Sequence, residues 1–341
     1  MKQLGVGLMG TGWVSGEYIK AFQNNPNCRV IAICSRDRAR AAAKAAEHHL
    51  KDCMATSDLR EMLGEKAIDV VAICTPHDQH VEQGVACARN GKHVLVEKPV
   101  ALNLEGLRCL DAAIRTAGVK SISSFVLRWH PMVANVRAML DQKLVGNVFY
   151  AEVDYMHGIG PCYASWKWLT SKQTGGSSLL MAGCHAVDTL RYIMGDEAVE
   201  VTAYSNTSKS NSFQYEYDPN VVTIIRFAGG AMGKVASLVE CRMPYVFNVQ
   251  LFGDKGTIRN NQLFTTDWPG QNGWATIPTV LPDSGDVSHH PFQVEIDHFV
   301  ECILTNTESH ASIGGTFKTH EICLAADLSA AEGRPVRLPL E

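Results

Sequence analysis

Glu97, Lys98 and Pro99 follow directly on an apolar run at residues 94–96 and deliver charge at its end. An apolar run without polar alternation is typical of a strand buried on both faces of a parallel sheet, and proline cannot extend such a strand. Ligands of these sheets bind beyond the carboxyl ends of the strands. Lys98 is therefore predicted to face a ligand, although a solvated lysine that closes a strand fits the same pattern.

A glycine turn stands where a dinucleotide would bind. An apolar run at 3–9 leads into the turn, and a helical pattern follows it. In this fingerprint the first glycine permits the tight turn, the second lets the pyrophosphate approach the backbone, and the helix N-terminus supplies partial positive charge. Ser15 replaces the third glycine. The residues predicted to contact the cofactor here are Gly10, Thr11, Gly12, Trp13 and Val14.

The second apolar run, at residues 30–34, ends where the adenosine ribose would be read. An acid at that point binds the ribose hydroxyls of NAD, whereas this run ends in Ser35 and Arg36, with Asp37 only beyond. Arginine suits a 2′-phosphate, so the pattern favours NADP slightly. Two alternatives stay open: Arg36 lies flat on the adenine, or Asp37 reaches the ribose of NAD.

The strand predicted at 68–74 ends in Thr75 and Pro76, which are followed by His77 and His80. The two histidines are candidate metal ligands, but no cysteine or acid cluster completes a site. Helix capping or cofactor contact is the better prediction, so no metal is expected. Thr75, Pro76, His80, Glu97 and Lys98 are thus added to the predicted cofactor site. Six predicted strands complete a dinucleotide-binding domain over residues 1–124.

The length, net charge and cysteine content of the chain narrow the class of protein. A chain of 341 residues is longer than one core usually supports, so two domains are expected. The net charge of -4 and the lack of a basic run exclude nucleic acid and an anionic membrane as predicted partners. The 11 cysteines are scattered, many in apolar contexts, which indicates buried reduced thiols and a cytoplasmic protein. No signal peptide or membrane span is predicted.

Several short motifs recur in one order along the chain. They are Gly10-Thr11-Gly12, Thr75-Pro76 with His80, Glu97-Lys98-Pro99, Arg128, Gly175-Gly176-Ser177, Gly183-Cys184-His185-Ala186-Val187-Asp188 and Gly253-Asp254-Lys255-Gly256-Thr257. In order and spacing the chain resembles the glucose-fructose oxidoreductase, inositol dehydrogenase and rhizopine-catabolism (Gfo/Idh/MocA) oxidoreductases. The resemblance implies an α/β Rossmann domain followed, over 125–341, by an α+β domain with a large, mixed, mostly antiparallel open sheet. It also implies NAD(P), a sugar or cyclitol substrate, and a homodimer or homotetramer formed through the sheet.

The second half of the predicted chemistry lies on a helix expected from about residue 178 to residue 194. The flanking motif indicates that His185 is more than an ordinary buried histidine, and the resemblance implies that it is catalytic. Members of the family usually carry an acid four residues earlier, on the same helix face. Here that position is Met181, so no such acid can relay a proton to His185. Asp188 is expected to be structural.

The substrate side is predicted with less specificity. Tyr155 and His157 share one face of a strand predicted at 148–157. Indole rings stack on sugar faces, so Trp166 and Trp168 are a candidate substrate wall, although the core is an equally open assignment for them. Tyr245 matches a family position that faces substrate. The candidate substrate-binding residues are Arg128, His157, Trp166, Lys167 and Tyr245.

Three functions fit these residues. The first is hydride transfer between nicotinamide and a secondary hydroxyl of a sugar, cyclitol or glycoside. There His185 takes the hydroxyl proton while Lys98 stabilises the oxygen, or Lys98 itself becomes the base. The second is glycoside hydrolysis assisted by a tightly bound NAD(H). This alternative stays open because the usual acid is replaced by Met181. The third is a non-catalytic, cofactor-sensing protein, which Lys98 and His185 disfavour.

Overall fold

The computed structural model describes residues 3–282 and 290–341, which form two compact units. The first comprises Met1–Ser124 and Pro291–Phe317, and the second Phe125–His290 and Lys318–Glu341. The chain thus divides after the predicted residue 124. The prediction that all of 125–341 belongs to the second domain is wrong for Pro291–Phe317, which packs with the first unit.

The first unit is built on a parallel sheet with the strand order β3-β2-β1-β4-β5-β6. The strands are nearly all apolar and buried, as expected for a sheet covered on both faces. The strands are β1 (Leu4–Met9), β2 (Cys28–Cys34), β3 (Met54–Thr56), β4 (Ile68–Ile73), β5 (His93–Val96) and β6 (Ser121–Ser123). Its first five helices are α1 (Trp13–Asn24), α2 (Arg38–Glu47), α3 (Leu59–Gly64), α4 (His80–Arg89) and α5 (Leu104–Ala117).

The second unit contains a nine-stranded sheet in which β7 and β10 are parallel and the other pairs are antiparallel. The strands are β7 (Val148–Met156), β8 (Ala198–Asn206), β9 (Asn220–Phe227), β10 (Met232–Leu238), β11 (Val246–Gly253), β12 (Gly256–Arg259), β13 (Gln262–Thr265), β14 (Ala275–Thr276) and β15 (Val336–Arg337). The helices are α6 (Pro131–Asp141), α7 (Trp166–Leu169), α8 (Lys172–Gly175) and α9 (Cys184–Met194). This architecture confirms the predicted fold class.

Two further helices come late in the chain. Helix α10 (Phe292–Leu304) packs on α1 in the first unit, with the ring of Phe292 edge-on to Tyr18 at 5.2 Å between centroids. Asn25 Nδ2, after the end of α1, donates to Asp297 Oδ1 at 2.7 Å. Helix α11 (Ile313–Glu332) begins in the first unit and continues into the second. The late helix α10 therefore completes the first unit.

All 11 cysteines are free thiols, and only Cys109 and Cys162 are exposed. This agrees with the predicted use of cysteine as a small apolar side chain. No helix among residues 3–282 and 290–341 is long and apolar enough to cross a membrane.

Candidate active site

The glycine turn after β1 has the geometry of a phosphate cradle. Gly10 has φ +97°, and a Cβ there would lie 2.5 Å from the carbonyl oxygen of Cys74, so only glycine fits. At Gly12 a Cβ would have no protein atom within 4 Å, so protein packing does not require that glycine. Gly12 is the N-cap of α1 and provides no side-chain cap, and the first turn of the helix carries no acid. These residues fit a pyrophosphate held against backbone amides.

The side chains around this turn hold its shape. Ser15, in place of the third glycine, donates from Oγ to the carbonyl oxygen of Gly12 at 2.6 Å. Trp13 is largely exposed and Val14 is half-buried. Thr11 Oγ1 lies 3.4 Å from Ser35 Oγ, which links the turn to the end of β2. The first two strand ends therefore meet as the fingerprint predicts.

The residues that would read the adenosine ribose follow β2. The carboxylate of Asp37 accepts from the backbone amide of Ala39 at 2.8 Å and caps α2. Arg36 is exposed beside it, and Ser35 is half-buried. The acid is thus committed to helix capping, while the arginine next to it faces solvent.

His80 joins two strand ends. Its ring is fully buried, with Nε2 2.8 Å from the carbonyl oxygen of Thr75 and Nδ1 2.8 Å from that of Pro99. Burial lowers the pKa of His80 despite these two carbonyls, so the neutral ring donates to only one of them at a time. His80 therefore positions the loops after β4 and β5. Its direct contact with a cofactor stays a prediction.

Glu97 and Lys98 end β5 as predicted. Glu97 accepts from Tyr18 Oη at 2.7 Å through Oε1 and from the backbone amide of Lys98 at 3.0 Å through Oε2. Burial raises the pKa of Glu97, and the charge of Lys98 opposes that rise. Both carboxyl oxygens are thus engaged by the protein itself, and Lys98 is half-buried beside them.

In the second unit, His185 lies in a group of rings that we call the His185 cluster. Its members are Phe125, Tyr155, His157, Tyr163, His185, Tyr245 and His290. The His185 ring is 3% exposed, stacks on Tyr155 at 6.2 Å and lies 5.7 Å from the ring of His290. The predicted base thus has aromatic neighbours and one further imidazole.

Two of the predicted substrate-binding residues, His157 and Tyr245, belong to this cluster. His157 Nδ1 is 3.2 Å from Tyr155 Oη, and its Nε2 is 2.6 Å from Tyr163 Oη. The Tyr245 ring contacts His157 edge-on at 5.0 Å, and burial raises the pKa of its phenol. The His185 cluster therefore gathers residues that come from five separate stretches of sequence.

The helical run that carries His185 extends over residues 178–194, as predicted, and contains a π-helical turn that was not predicted. Leu179–Gly183 form a π-helical turn, and α9 begins only at Cys184. A Cβ on Gly183 would lie 2.6 Å from Ser237 Cβ, so this glycine allows the turn to approach β10. Single π-turns are frequent at functional sites. Counting back four or five residues from His185 reaches Met181 or Leu180, both buried, and neither supplies an acid.

Arg128 forms a buried, bidentate ion pair with Asp188, at 2.7 Å from Nε and 2.6 Å from Nη2. The two side chains are 3% and 1% exposed, and Thr319 Oγ1 donates to the same carboxylate at 2.9 Å. This pairing anchors the Arg128 guanidinium, and substrate contact by Arg128 stays a prediction. Asp188 is structural, as expected.

The loop that carries Trp166, Lys167 and Trp168 is anchored by a hydrogen bond from a tryptophan side chain to the backbone. Trp166 Nε1 donates to the carbonyl oxygen of Phe213 at 2.9 Å, and the ring is half-buried. Lys167 is exposed. Substrate contact by Trp166 and Lys167 stays a prediction.

The sequence does not place three members of the His185 cluster, Phe125, Tyr163 and His290, among the site residues. Tyr163 stands in a loop without periodicity. His290 ends the stretch 267–290, which is rich in Gly, Pro and Trp and is predicted to be an active-site rim or lid; its residues 283–289, including His289, lie outside the described residues. Within the described residues no group of three or more His, Cys, Asp or Glu side chains could hold a metal ion.

A parallel six-stranded sheet with a pyrophosphate cradle, followed by a second unit that buries a histidine among aromatic rings, defines an NAD-binding oxidoreductase of two units. Residues 4–125 match the family described as "Oxidoreductase family, NAD-binding Rossmann fold", and residues 133–259 match the GFO/IDH/MocA C-terminal domain. The chain belongs to the Gfo/Idh/MocA oxidoreductase family.

Relatives and solved structures agree with this assignment. The chain is 26% identical to the uncharacterized oxidoreductase YrbE of Bacillus subtilis, over 99% of this chain and 97% of that protein. It is 28% identical to the inositol 2-dehydrogenase of Rhizobium meliloti, over 97% of this chain and 98% of that protein. The structure of a levoglucosan dehydrogenase in complex with NADH and levoglucosan superposes with a TM-score of 0.89 at 24% identity, covering 99% and 100% of the two chains. That similarity shows the same fold.

Proposed function

We propose that this oxidoreductase transfers hydride between nicotinamide and a secondary hydroxyl of a sugar or cyclitol. The observation that carries the proposal is the His185 cluster, in which an imidazole is buried among rings that also bear hydroxyl groups. Apolar ring faces suit the C–H faces of a sugar, and the phenols and imidazoles suit its hydroxyls. The relatives that act on inositol support this class of substrate.

The residues divide the work of the reaction. The nicotinamide, when bound, supplies the hydride acceptor or donor. His185 takes the hydroxyl proton as the carbon is oxidised, because imidazole titrates near neutral pH. Lys98, at the carboxyl end of β5, stabilises the negative charge that develops on the same oxygen. His157 and Tyr245 hold neighbouring hydroxyls.

The cofactor preference follows from the end of β2. Because Asp37 caps α2 and Arg36 is exposed next to it, we propose that the protein prefers NADP to NAD. The test is Arg36→Ala, assayed with both cofactors. We expect KM for NADP to rise about tenfold while KM for NAD hardly changes, since a 2′-phosphate contact is lost. An equal change for both cofactors, or none, contradicts the preference.

The proposed reaction is tested by a substrate screen. The purified protein is incubated with NAD⁺ or NADP⁺ and with myo-inositol, scyllo-inositol, levoglucosan, common hexoses or aryl glycosides, while the absorbance of reduced nicotinamide is followed. We expect reduction with at least one polyol, and its loss in His185→Asn. Cleavage of an aryl glycoside without net cofactor reduction would instead show redox-assisted hydrolysis. Cofactor binding without turnover of any compound contradicts both reactions.

We propose that copies of the chain associate through the outer face of the nine-stranded sheet. Tyr204, Val222, Ile224 and Met232 are exposed on β8, β9 and β10, and contiguous exposed apolar side chains mark interaction surfaces. The partner is a second copy of this chain, in a dimer or tetramer. Light scattering of the wild type and of Ile224→Glu tests this: the wild type should be oligomeric and the variant smaller, and a monomeric wild type contradicts the proposal.

A further inference from the structure

Four polar side chains form a chain of contacts inside the first unit, behind Lys98. Glu97 Oε1 is 2.7 Å from Tyr18 Oη, Tyr18 Oη contacts Ser124 Oγ closely, and Ser124 Oγ is 3.1 Å from Glu295 Oε2. Tyr18, Ser124 and Glu295 are almost completely buried, and Glu97 is at the half-buried end. We call these four residues the Glu97–Glu295 chain. They come from α1, the end of β5, the end of β6 and α10.

The contacts require more hydrogens than the two hydroxyls carry. The three oxygen–oxygen contacts of the chain need three hydrogens, and the Ser124 hydroxyl also bonds the Glu97 carboxyl, whereas Tyr18 and Ser124 supply one hydrogen each. If both carboxyls were ionised, one of the oxygen–oxygen contacts would have no hydrogen between its two atoms, and their lone pairs would repel each other in a buried place. The third hydrogen must therefore belong to a carboxylic acid, at Glu97 or at Glu295.

The surroundings of the two carboxyls decide which of them holds the hydrogen. Glu97 accepts from the backbone amide of Lys98 and is close enough to its charge for that charge to lower the pKa of Glu97. Glu295 Oε1 has no hydrogen-bond partner among the described residues. A carboxylate is favoured by donors and a nearby cation, and is disfavoured by burial without them. The negative charge therefore belongs on Glu97 and the hydrogen on Glu295.

The other groups that face these carboxyls do not change this assignment. Burial, and then the charge of Glu97, raise the pKa of Glu295 well above its usual range. Cys74, after β4, faces both carboxyls, and burial raises the pKa of its thiol, so it is uncharged. Burial and the same two carboxyls raise the pKa of Tyr18. The charge of Lys98 acts on Glu97 and lowers the pKa of that carboxyl.

We propose that Glu295 is a carboxylic acid in the folded protein, that its proton directs a one-way chain from Glu295 through Ser124 and Tyr18 to Glu97, and that the carboxylate is thereby fixed on Glu97, next to Lys98. Glu295 and Glu97 are thus positioning residues. The functional part of this inference rests on the proposed function, in which Lys98 is the charge stabiliser and His185 is the base. The structural part stands on the contacts alone.

The proton on Glu295 is observed by infrared spectroscopy of the whole protein, without cofactor or substrate. A protonated carboxylic acid has a carbonyl stretch above the amide band. Outside the chain, Asp327 is a described carboxyl with a raised pKa, about 7, so the measurements are made at pH about 8 in an Asp327→Asn background. We expect the acid band in this background and its loss in Glu295→Gln, whose amide replaces the acid hydrogen with an N–H.

Glu97→Gln distinguishes two reasons for a protonated Glu295: the hydrogen-bond chain, or burial alone. The backbone amide of Lys98 faces Oε2, so the amide oxygen takes that place and the NH₂ group points to Tyr18. The chain then reverses, Glu295 accepts, and the acid band disappears. If Glu295 were protonated by burial alone, the band would survive this change. Absence of the band in the Asp327→Asn background, or its survival in either variant, overturns the proposal. Circular dichroism confirms that each variant is folded. The infrared readout uses no substrate, so a failed substrate screen and a failed chain are distinguishable results.

Discussion

The two units place polar groups in buried positions by different means. In the first unit, the Glu97–Glu295 chain connects carboxyls and hydroxyls by direct short contacts, with charge confined to one end. In the second unit, His185 is surrounded mainly by ring faces and edges, and no acid precedes it by one turn. Fixed hydrogen bonds hold a charge in place, whereas an imidazole among rings can gain and lose a proton without disrupting a network. In the proposed function, the first unit contributes Lys98 as the charge stabiliser and the second unit contributes His185 as the base.

Lys98→Met breaks the first half of this comparison and should have the largest effect. Loss of the cation removes the stabilisation of charge on the reacting oxygen, so kcat should fall about 10³-fold while the KM for cofactor changes little. Steady-state kinetics on the polyol found in the screen measure this. Lys20→Met, an exposed lysine of α1, is the matched control and should behave as wild type. A Lys98 variant with normal kcat would remove the first unit from the chemistry.

Arg128→Met tests whether the buried ion pair supports the second unit rather than the substrate. The change leaves Asp188 buried and uncompensated, so the free energy of unfolding should fall by about 3 to 5 kcal/mol. Urea denaturation measures it. Arg226→Met, which breaks the exposed pair with Glu200, should lower it by less than about 1 kcal/mol. If the Arg128 variant kept full stability but lost substrate affinity, the original prediction of substrate binding would be right.

His185→Asn breaks the second half of the comparison. Asparagine keeps a polar side chain of similar size but cannot act as a base, so kcat should fall about 10²-fold, with little change in KM. The loss should be partly relieved as pH rises, because hydroxide can then remove the proton. His298→Asn, on α10 and outside the His185 cluster, is the control. An unchanged pH profile in the His185 variant argues against a base at this position.

Asp327 extends the comparison, because it is a half-buried carboxyl of the second unit with a raised pKa. Burial raises its pKa to about 7, against the opposing effects of Ser177 and Lys172. The native state therefore holds this proton more tightly than the unfolded chain does, and stability should fall as pH rises from about 4 to about 7, then level off. Asp327→Asn should flatten this part of the curve. Urea denaturation across that range checks it, and an unaltered slope in the variant contradicts the assignment.

Much of the framework was predictable because it rests on local patterns. The apolar runs, the glycine turn and the charged end of β5 define the first sheet, since each motif carries its own strand–turn–helix context. The resemblance extended this to the second sheet and to His185. Asp188 was recognised as structural from the same source.

The parts that were not predictable depend on contacts between residues distant in sequence. Arg128 could not be matched to Asp188 without the fold, and Glu295 gave no signal, because a glutamate in the first turn of an amphipathic helix usually faces solvent. The position of α10 in the first unit brings Glu295 to Ser124, and no periodicity indicates that return. The π-helical turn before His185 depends on close packing against β10 at Gly183, which hydrophobic patterning does not reveal.

The most direct test of this division of labour is a double-mutant cycle on hydride transfer in a single turnover, followed by stopped-flow absorbance of the nicotinamide. Wild type, Lys98→Met, His185→Asn and the double variant are compared with the polyol identified in the screen. If both side chains act on one oxygen, each single change slows the hydride step and the double change slows it by much less than the product of the two. A hydride step that neither single change slows would contradict the account.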